Sequence, residues 1–292
     1  MNFPVTFTET TADQSWRDVV RYVLDGERHD LTGDTTNPVP QKIIEVRGVT
    51  CVVTAEHPLV TDPRRRLNYA FAAGEPLAFL RGDNRVATYK RYIKNFDRFS
   101  DDGIFLSSSY GPEIARQLPF VVKELTENPM SRRAVMTIWR QNPDTSLKDI
   151  SCLVSLQFIL RNGELTVMTY QRSQDMNLGF PYDIFTYAMI GRWVAGALNY
   201  HYRLADHPVK CIGPLIHNMG SCHIYEHDEE RIRYLLSRAV RNDTFWPPIG
   251  AMDPPRTHSQ VECELAAVSS DATLFTTDMS PFFKRMAQEA NR

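Results

Sequence analysis

Apolar residues recur with helical spacing in some stretches of the chain and alternate in others. Between Ser15 and Leu24, Trp16, Val19, Val20, Tyr22, Val23 and Leu24 predict an amphipathic helix. Thr32 to Pro40 is turn-rich, and Ile43 to Thr54 then alternates as a strand does. Arg64 to Leu80 reads as a helix bent at Pro76 and closed by Gly82. Ala134 to Arg140 reads as a short strand. Leu153–Arg161 and Glu164–Tyr170 flank Asn162-Gly163, a dipeptide suited to a tight hairpin because both turn positions need positive φ. Tyr182 to Tyr200 is apolar on most faces and predicts a long buried helix. Val209–Ile212 and His223–Tyr225 are short strand candidates, and Asp228 to Val240 is a charged surface helix. Helices and strands mix without regular βαβ alternation, which predicts an α+β fold. Nothing marks a linker, so residues 1–292 are read as one domain.

Composition narrows the classes. The 292 residues are enough for a generous core, and 42% hydrophobic with 23% charged residues describes an ordinary globular protein. A net charge of −2 gives no bulk electrostatic case for nucleic acid or membrane. The start, Met1-Asn2-Phe3-Pro4, lacks a signal-peptide pattern, and no apolar run reaches membrane-spanning length. Five widely spaced cysteines favour reduced thiols over a disulfide framework. The expectation is a cytoplasmic enzyme or binding protein.

The segment from Gln171 to Asp183 concentrates the chemistry. It sets a cation, a hydroxyl, two carboxylates and a Gly/Pro turn between a strand and a helix, nineteen residues after Cys152. Core filling is the expectation for Cys51, Cys211, Cys222 and Cys263. Cys152 differs, because it precedes the hairpin and has arginines near it in sequence, conditions that lower a thiol pKa and favour a nucleophile. Arg172, Arg132 and Arg133 are surface charges by default, yet guanidinium forks also match phosphate oxygens. Cys211, His217, Cys222, His223 and His227 offer zinc-ligand types, but their spacings match no common template, so no metal is assigned. Asp183 opens the predicted long helix, where a carboxylate ordinarily serves the helix dipole. Glu75 reads by default as a surface acid.

Taken in order, these residues resemble the thymidylate synthase superfamily over nearly the whole chain. The matches are Glu75 ahead of Phe79-Leu80-Arg81-Gly82-Asp83, then Tyr110-Gly111, Ser131-Arg132-Arg133 leading to Trp139, and Cys152. They continue with Gln171-Arg172-Ser173-x-Asp175-x-x-Leu178-Gly179-x-Pro181 and His223-x-Tyr225. The resemblance implies a homodimer on a mixed sheet, in which Arg132 and Arg133 enter the partner's site and join Arg172 and Ser173 on a nucleotide phosphate. It implies that Cys152 adds to C6 of the pyrimidine and that 5,10-methylenetetrahydrofolate supplies the one-carbon unit. Asp175 would hold the pterin, with Phe96, Phe99, Leu178 and Gly179 around the folate. Glu75 and Tyr110 would serve proton transfer, while His223 and Tyr225 hold the sugar 3′-hydroxyl.

Four departures shape the expected activity. Asp183 stands where thymidylate synthases carry an Asn that reads uracil, and a carboxylate accepts well from the N4 amine of cytosine. Leu153 replaces the His that follows the nucleophile. Phe96 and Phe99 stand where two Trp are usual. Leu31, in Asp30-Leu31-Thr32-Gly33, replaces a phosphate-binding Arg, for which Arg47 is the candidate substitute. The pattern resembles the cytidylate hydroxymethylase branch, which implies dCMP as substrate and 5-hydroxymethyl-dCMP as product. The rivals are a CMP hydroxymethylase of a natural-product pathway, a cytidylate methylase that keeps hydride transfer, and an inactive nucleotide-binding relative. Cys152, Glu75, Tyr110 and Asp175 argue against the last.

Overall fold

The computed structural model describes residues 4–9, 11–31, 41–201, 208–238, 246–250, 253–255, 257–270 and 279–291. The chain opens with β1 (Val5–Glu9), α1 (Ala12–Leu24), β2 (Glu27–Asp30) and β3 (Lys42–Val53). Three helices follow: α2 (Tyr69–Leu80), α3 (Val86–Lys90) and α4 (Gly111–Glu127). Then come β4 (Val135–Thr137), the hairpin of β5 (Leu153–Arg161) and β6 (Glu164–Asp175), and α5 (Gly179–His201). Last are β7 (Cys211–Tyr225), α6 (Glu229–Ser237), α7 (His258–Ser269) and α8 (Pro281–Ala290).

The strands form one mixed sheet in the order β1-β3-β7-β6-β5-β4, with β2 also pairing with β3. Pairs β1–β3 and β6–β7 are parallel and the others antiparallel, so the α+β expectation holds. The hairpin turn also holds, with φ of 54° at Asn162 and 85° at Gly163. Helix α5 packs on β6 and β7, where Phe180, Ile184, Phe185, Met189, Ile190 and Val194 are buried. The opposite sheet face is less covered: Ile159, Met168 and Ile216 are half-buried, and Tyr170 is 45% exposed. Among the described residues no helix is long and apolar enough to cross a membrane.

A kink runs across three neighbouring strands. In β6 the buried positions are Leu165, Val167, Thr169 and Gln171, and then the parity shifts to Gln174. In β7 it shifts from Leu215, His217 and Met219 to Cys222 and Ile224. In β3 it shifts between Val46 and Val49, on either side of Arg47-Gly48. These breaks lie side by side, since Ser173 pairs with Ser221 and Ser221 with Arg47. Gly48 supplies the left-handed backbone there with φ of 69°. A side chain at Gly220 would meet the Arg172 carbonyl at 2.9 Å. The kink lets β6 present Gln171 and Gln174 to the core while Ser173 and Asp175 face the other way.

The kink also corrects two boundaries. The segments expected at Val209–Ile212 and His223–Tyr225 belong to one fifteen-residue strand, β7. Strand β6 runs on to Asp175, where alternation alone stopped at Tyr170. The helix expected over Arg64 to Leu80 is a short turn at Pro63–Arg65, broken by Arg66 at φ of 53°, before α2 starts under an Asn68 cap. The surface helix is shorter too, spanning Glu229–Ser237. The stretch Thr32 to Pro40 lies outside the described residues. Of the cysteines expected in the core, Cys51 and Cys222 are buried, but Cys211 is half-buried and Cys263 exposed.

Candidate active site

Four segments distant in sequence line one pocket of about 190 Å³. Helix α2 contributes Glu75, the residue before α4 is Tyr110, the residue before β5 is Cys152, and α5 contributes Asp183. Phe96 and Phe99 line the same pocket on a short turn, and the Phe96 ring stacks on Tyr89 with centroids 5.0 Å apart. These six side chains were all singled out from the sequence, and the fold brings them together.

Cys152 is set by pairing of its own backbone. Its carbonyl accepts from the Arg172 N–H at 2.9 Å, just ahead of an irregularity in the β5–β6 register. The Arg172 side chain is exposed, stacks over Trp139 at 5.5 Å, and donates to the carbonyls of Ser151 (3.0 Å) and Ile150 (2.8 Å). The low thiol pKa expected from nearby arginines is not what the chain provides. Burial pushes Cys152 up to about 12, against the opposing pull of Arg172 and with help from Asp149, Asp183 and Asp175. Among the described residues lining the pocket none is Lys, Arg or His.

The carboxyl groups respond to the same enclosure. Glu75 is pushed up to about 8 by burial and then by the neighbouring Asp183, although Thr186 donates to it at 3.0 Å. Asp183 is also raised by burial, and donors from Gln174, Gln171 and Tyr187 resist that rise. It lies in the second turn of α5, which starts at Gly179, so the helix-start reading is corrected. Gln174 Nε2 donates to Asp183 Oδ2 at 2.9 Å, and Tyr187 Oη donates to Oδ1 at 3.3 Å. Burial holds Tyr110 well above the ordinary tyrosine range, so it stays a phenol.

Sequence reasoning passed over Asp149, Ser108 and the Gln174–His217 pair. Asp149 lines the pocket, accepts from Ser108 Oγ at 2.7 Å and is raised by burial. A carboxylate three positions before Cys152 is the available signal.

The remaining predicted residues lie outside this pocket's lining. Asp175 Oδ1 accepts from the N–H groups of Asn177 (2.7 Å) and Leu178 (3.3 Å), and burial raises it to about 6. Arg65, stacked on Trp16 at 4.6 Å, binds both oxygens of Asn177 and fixes the turn that carries Leu178 and Gly179. Leu178 is 53% exposed. Ser173 is half-buried on the face that β6 shares with Asp175. His223 and Tyr225 share one face of β7, with ring centroids 5.2 Å apart. His223 Nδ1 is buried without a hydrogen-bond partner among the described residues, and burial lowers the ring to about 4. Arg132 and Arg133 are exposed, and Arg133 pairs with Glu124 at 2.9 Å. Arg47 forms an ion pair with Glu27 at 3.3 Å. Leu153 is fully buried. Among the described residues no three His, Cys, Asp or Glu converge as a metal site.

A family model described as Thymidylate synthase matches residues 14–248, well over half of the chain. The chain belongs to the thymidylate synthase family. Membership makes it a transferase of the kind that passes a one-carbon unit from a reduced folate to C5 of a pyrimidine nucleotide.

Proposed function

We propose that this chain is a dCMP 5-hydroxymethyltransferase, active as a homodimer with one catalytic domain per subunit. It would convert dCMP, 5,10-methylenetetrahydrofolate and water to 5-hydroxymethyl-dCMP and tetrahydrofolate. The observation that carries this reading is Asp183: a carboxyl group in the Cys152 pocket, already receiving hydrogen bonds from Gln174 and Tyr187. Such a group accepts from the N4 amine of cytosine and shares a proton with N3, whereas uracil offers O4, an acceptor, at the same place. Mismatched buried polar groups make that choice selective.

The roles follow the chemistry of each side chain. The Cys152 sulfur bonds to C6, making C5 a carbon nucleophile, and leaves C6 again as the product forms, regenerating the free thiol. Protonation at N3, held by Asp183, makes C6 more electrophilic. Glu75, with its pKa near 8, keeps a proton at neutral pH and hands it on as charge develops. Tyr110 serves proton removal from C5. Arg172 and Ser173 bind the phosphate, joined by Arg132 and Arg133 of a second copy. His223 and Tyr225 hold the sugar 3′-hydroxyl, for which the unpartnered Nδ1 is suited. The residues also fit a reduced folate: Phe96 and Phe99 give an aromatic wall, with Asp175, Leu178 and Gly179 beside the turn that Arg65 fixes. That co-substrate supplies the one-carbon unit. Phe96 and Phe99, smaller than the indoles usual there, leave space for water to enter, which favours hydroxymethyl over methyl product. The half-apolar sheet face around Met168, Tyr170 and Ile216 supports the homodimer.

The test is incubation with methylenetetrahydrofolate and each of dCMP, CMP and dUMP, with products weighed by mass spectrometry. The reading requires dCMP to gain the mass of CH2O, oxygen from labelled water, and no dihydrofolate absorbance. Dihydrofolate formed in step with 5-methyl-dCMP would make the enzyme a methylase, and preference for CMP would move it to ribonucleotides.

A further inference from the structure

Behind Asp183 lies a polar chain that none of the catalytic roles uses. Thr169 Oγ1 meets His217 Nδ1 at 2.6 Å, His217 Nε2 meets Gln174 Oε1 at 2.8 Å, and Gln174 Nε2 donates to Asp183 Oδ2 at 2.9 Å. Thr169, His217 and Gln174 are all buried. A second branch reaches the other oxygen, because Gln171 Nε2 donates to Tyr187 Oη at 2.6 Å and turns that hydroxyl proton towards Asp183 Oδ1.

The chain has a direction. A carboxylate only accepts, so Gln174 must aim its NH2 at Asp183 and its carbonyl at His217. His217 then carries its proton on Nε2, and Nδ1 accepts from Thr169. Burial holds His217 neutral, down at about 3, so a single proton has to serve one nitrogen or the other. The alternative matters for specificity. A protonated Asp183 that offers both an O–H donor and a C=O acceptor, as an Asn amide does, pairs with uracil as well as with cytosine, whereas an acceptor-only carboxylate repels uracil O4 and admits cytosine with the shared proton on N3.

We propose that Gln174, turned by His217, is a specificity-determining positioning residue that keeps Asp183 an acceptor towards the base. It thereby sets the preference for an amino-bearing over an oxo-bearing pyrimidine. The inference rests on the reading that Asp183 meets the base. Other titratable groups facing Asp183 are Glu75 from α2, Tyr110 before α4, Cys152 before β5 and Tyr187 on its own helix.

Two readouts test it in the full chain without requiring turnover. Calorimetry gives the ratio of dUMP to dCMP dissociation constants, and carbon-13 NMR of labelled aspartate gives the Asp183 titration midpoint, assigned by its absence in Asp183→Asn. In Gln174→Met the ratio should fall roughly tenfold and the midpoint rise by about one pH unit, the scale of one lost hydrogen bond to a charged group. His217→Phe should behave likewise, while His217→Gln, which still donates to Gln174, should hold the native ratio. If Gln174→Met does not fold, the His217 pair carries the comparison. Unchanged ratio and midpoint in a folded variant without the relay would overturn the proposal. Asp183→Asn separates it from the broader reading: if that change leaves base preference intact, base reading by Asp183 fails, and this inference with it. If Asp183→Asn switches preference and Gln174→Met does not, only the relay fails.

Discussion

At the Asp183 end of the pocket, polar groups find partners within the chain: Gln174, Tyr187, Gln171 and His217 bond one another behind the carboxyl group. Arg172, by contrast, is exposed beside the backbone of Cys152, Arg132 and Arg133 are exposed outside the pocket's lining, and the buried His223 Nδ1 has no partner among the described residues. The difference reflects where water can reach. A buried carboxyl group must be satisfied before any ligand arrives, or folding bears the desolvation cost, whereas exposed guanidiniums are solvated until a phosphate displaces that water. The Asp183 side can therefore discriminate by fixed hydrogen-bond geometry, whereas under the proposed assembly the exposed arginines would add charge. The high thiol pKa of Cys152 fits this division. A lone chain brings a single arginine to bear, and further guanidiniums from a second copy would favour the thiolate.

The largest effect expected is from removing the nucleophile between the two ends. Cys152→Ala should lower turnover by roughly 10³-fold or more and stop solvent exchange of the C5 hydrogen, with nucleotide binding largely kept. Retained exchange, followed by tritium release, would remove Cys152 from the chemistry. Next comes the self-contained end. Asp183→Asn should move kcat/KM from dCMP towards dUMP by roughly 1–3 kcal/mol, because an amide donates to O4 and accepts from N3–H. Full cytosine preference in that variant would locate base reading elsewhere.

The assembled end gives a smaller but sharper signal. Arg133→Ala and Cys152→Ala subunits, each inactive alone, should recover about a quarter of native activity when mixed, since hybrid dimers hold one intact site. No recovery despite demonstrated subunit exchange would count against a shared site. The smallest effect concerns stability. Glu75 is held near pKa 8 against an ordinary 4.5, so its contribution is full below pH 4.5 and is lost as pH rises through about 8. Glu75→Gln should flatten that loss, narrowing the difference in Tm across this window by a few degrees. Calorimetric scans at both limits check it, and parallel curves for the two proteins would refute it.

How much of this could be read from the sequence depended on whether a local pattern carried it. Helix α1, the β5–β6 hairpin and the Gln171–Asp183 segment announce themselves by spacing or residue type. Strand β7 looked like two fragments because its inward positions change parity at Gly220-Ser221, which erases the alternation. Arginines near Cys152 in sequence suggest an activated thiol, but in the fold burial outweighs Arg172. The pairing of Gln174 with His217 joins residues 43 apart whose types are unremarkable, and only the parallel β6–β7 register brings them within reach. His217 has the residue type of a zinc ligand, yet both its ring nitrogens are engaged by Thr169 and Gln174.

The kink that β3, β6 and β7 share acts as a shift of reading frame within the sheet. Upstream of it, odd-numbered residues of β6 face the helices; downstream, even-numbered ones do. Gln171 and Gln174 can both serve the interior, with Arg172 and Ser173 left between them on the exposed side. A one-residue insertion or deletion in β6 near Arg172 would alter no side chain chemically, yet it would exchange the interior set for the exterior one. A single in-frame codon gained or lost there would thus part Gln174 from Asp183 and turn Ser173 inward more completely than most single substitutions.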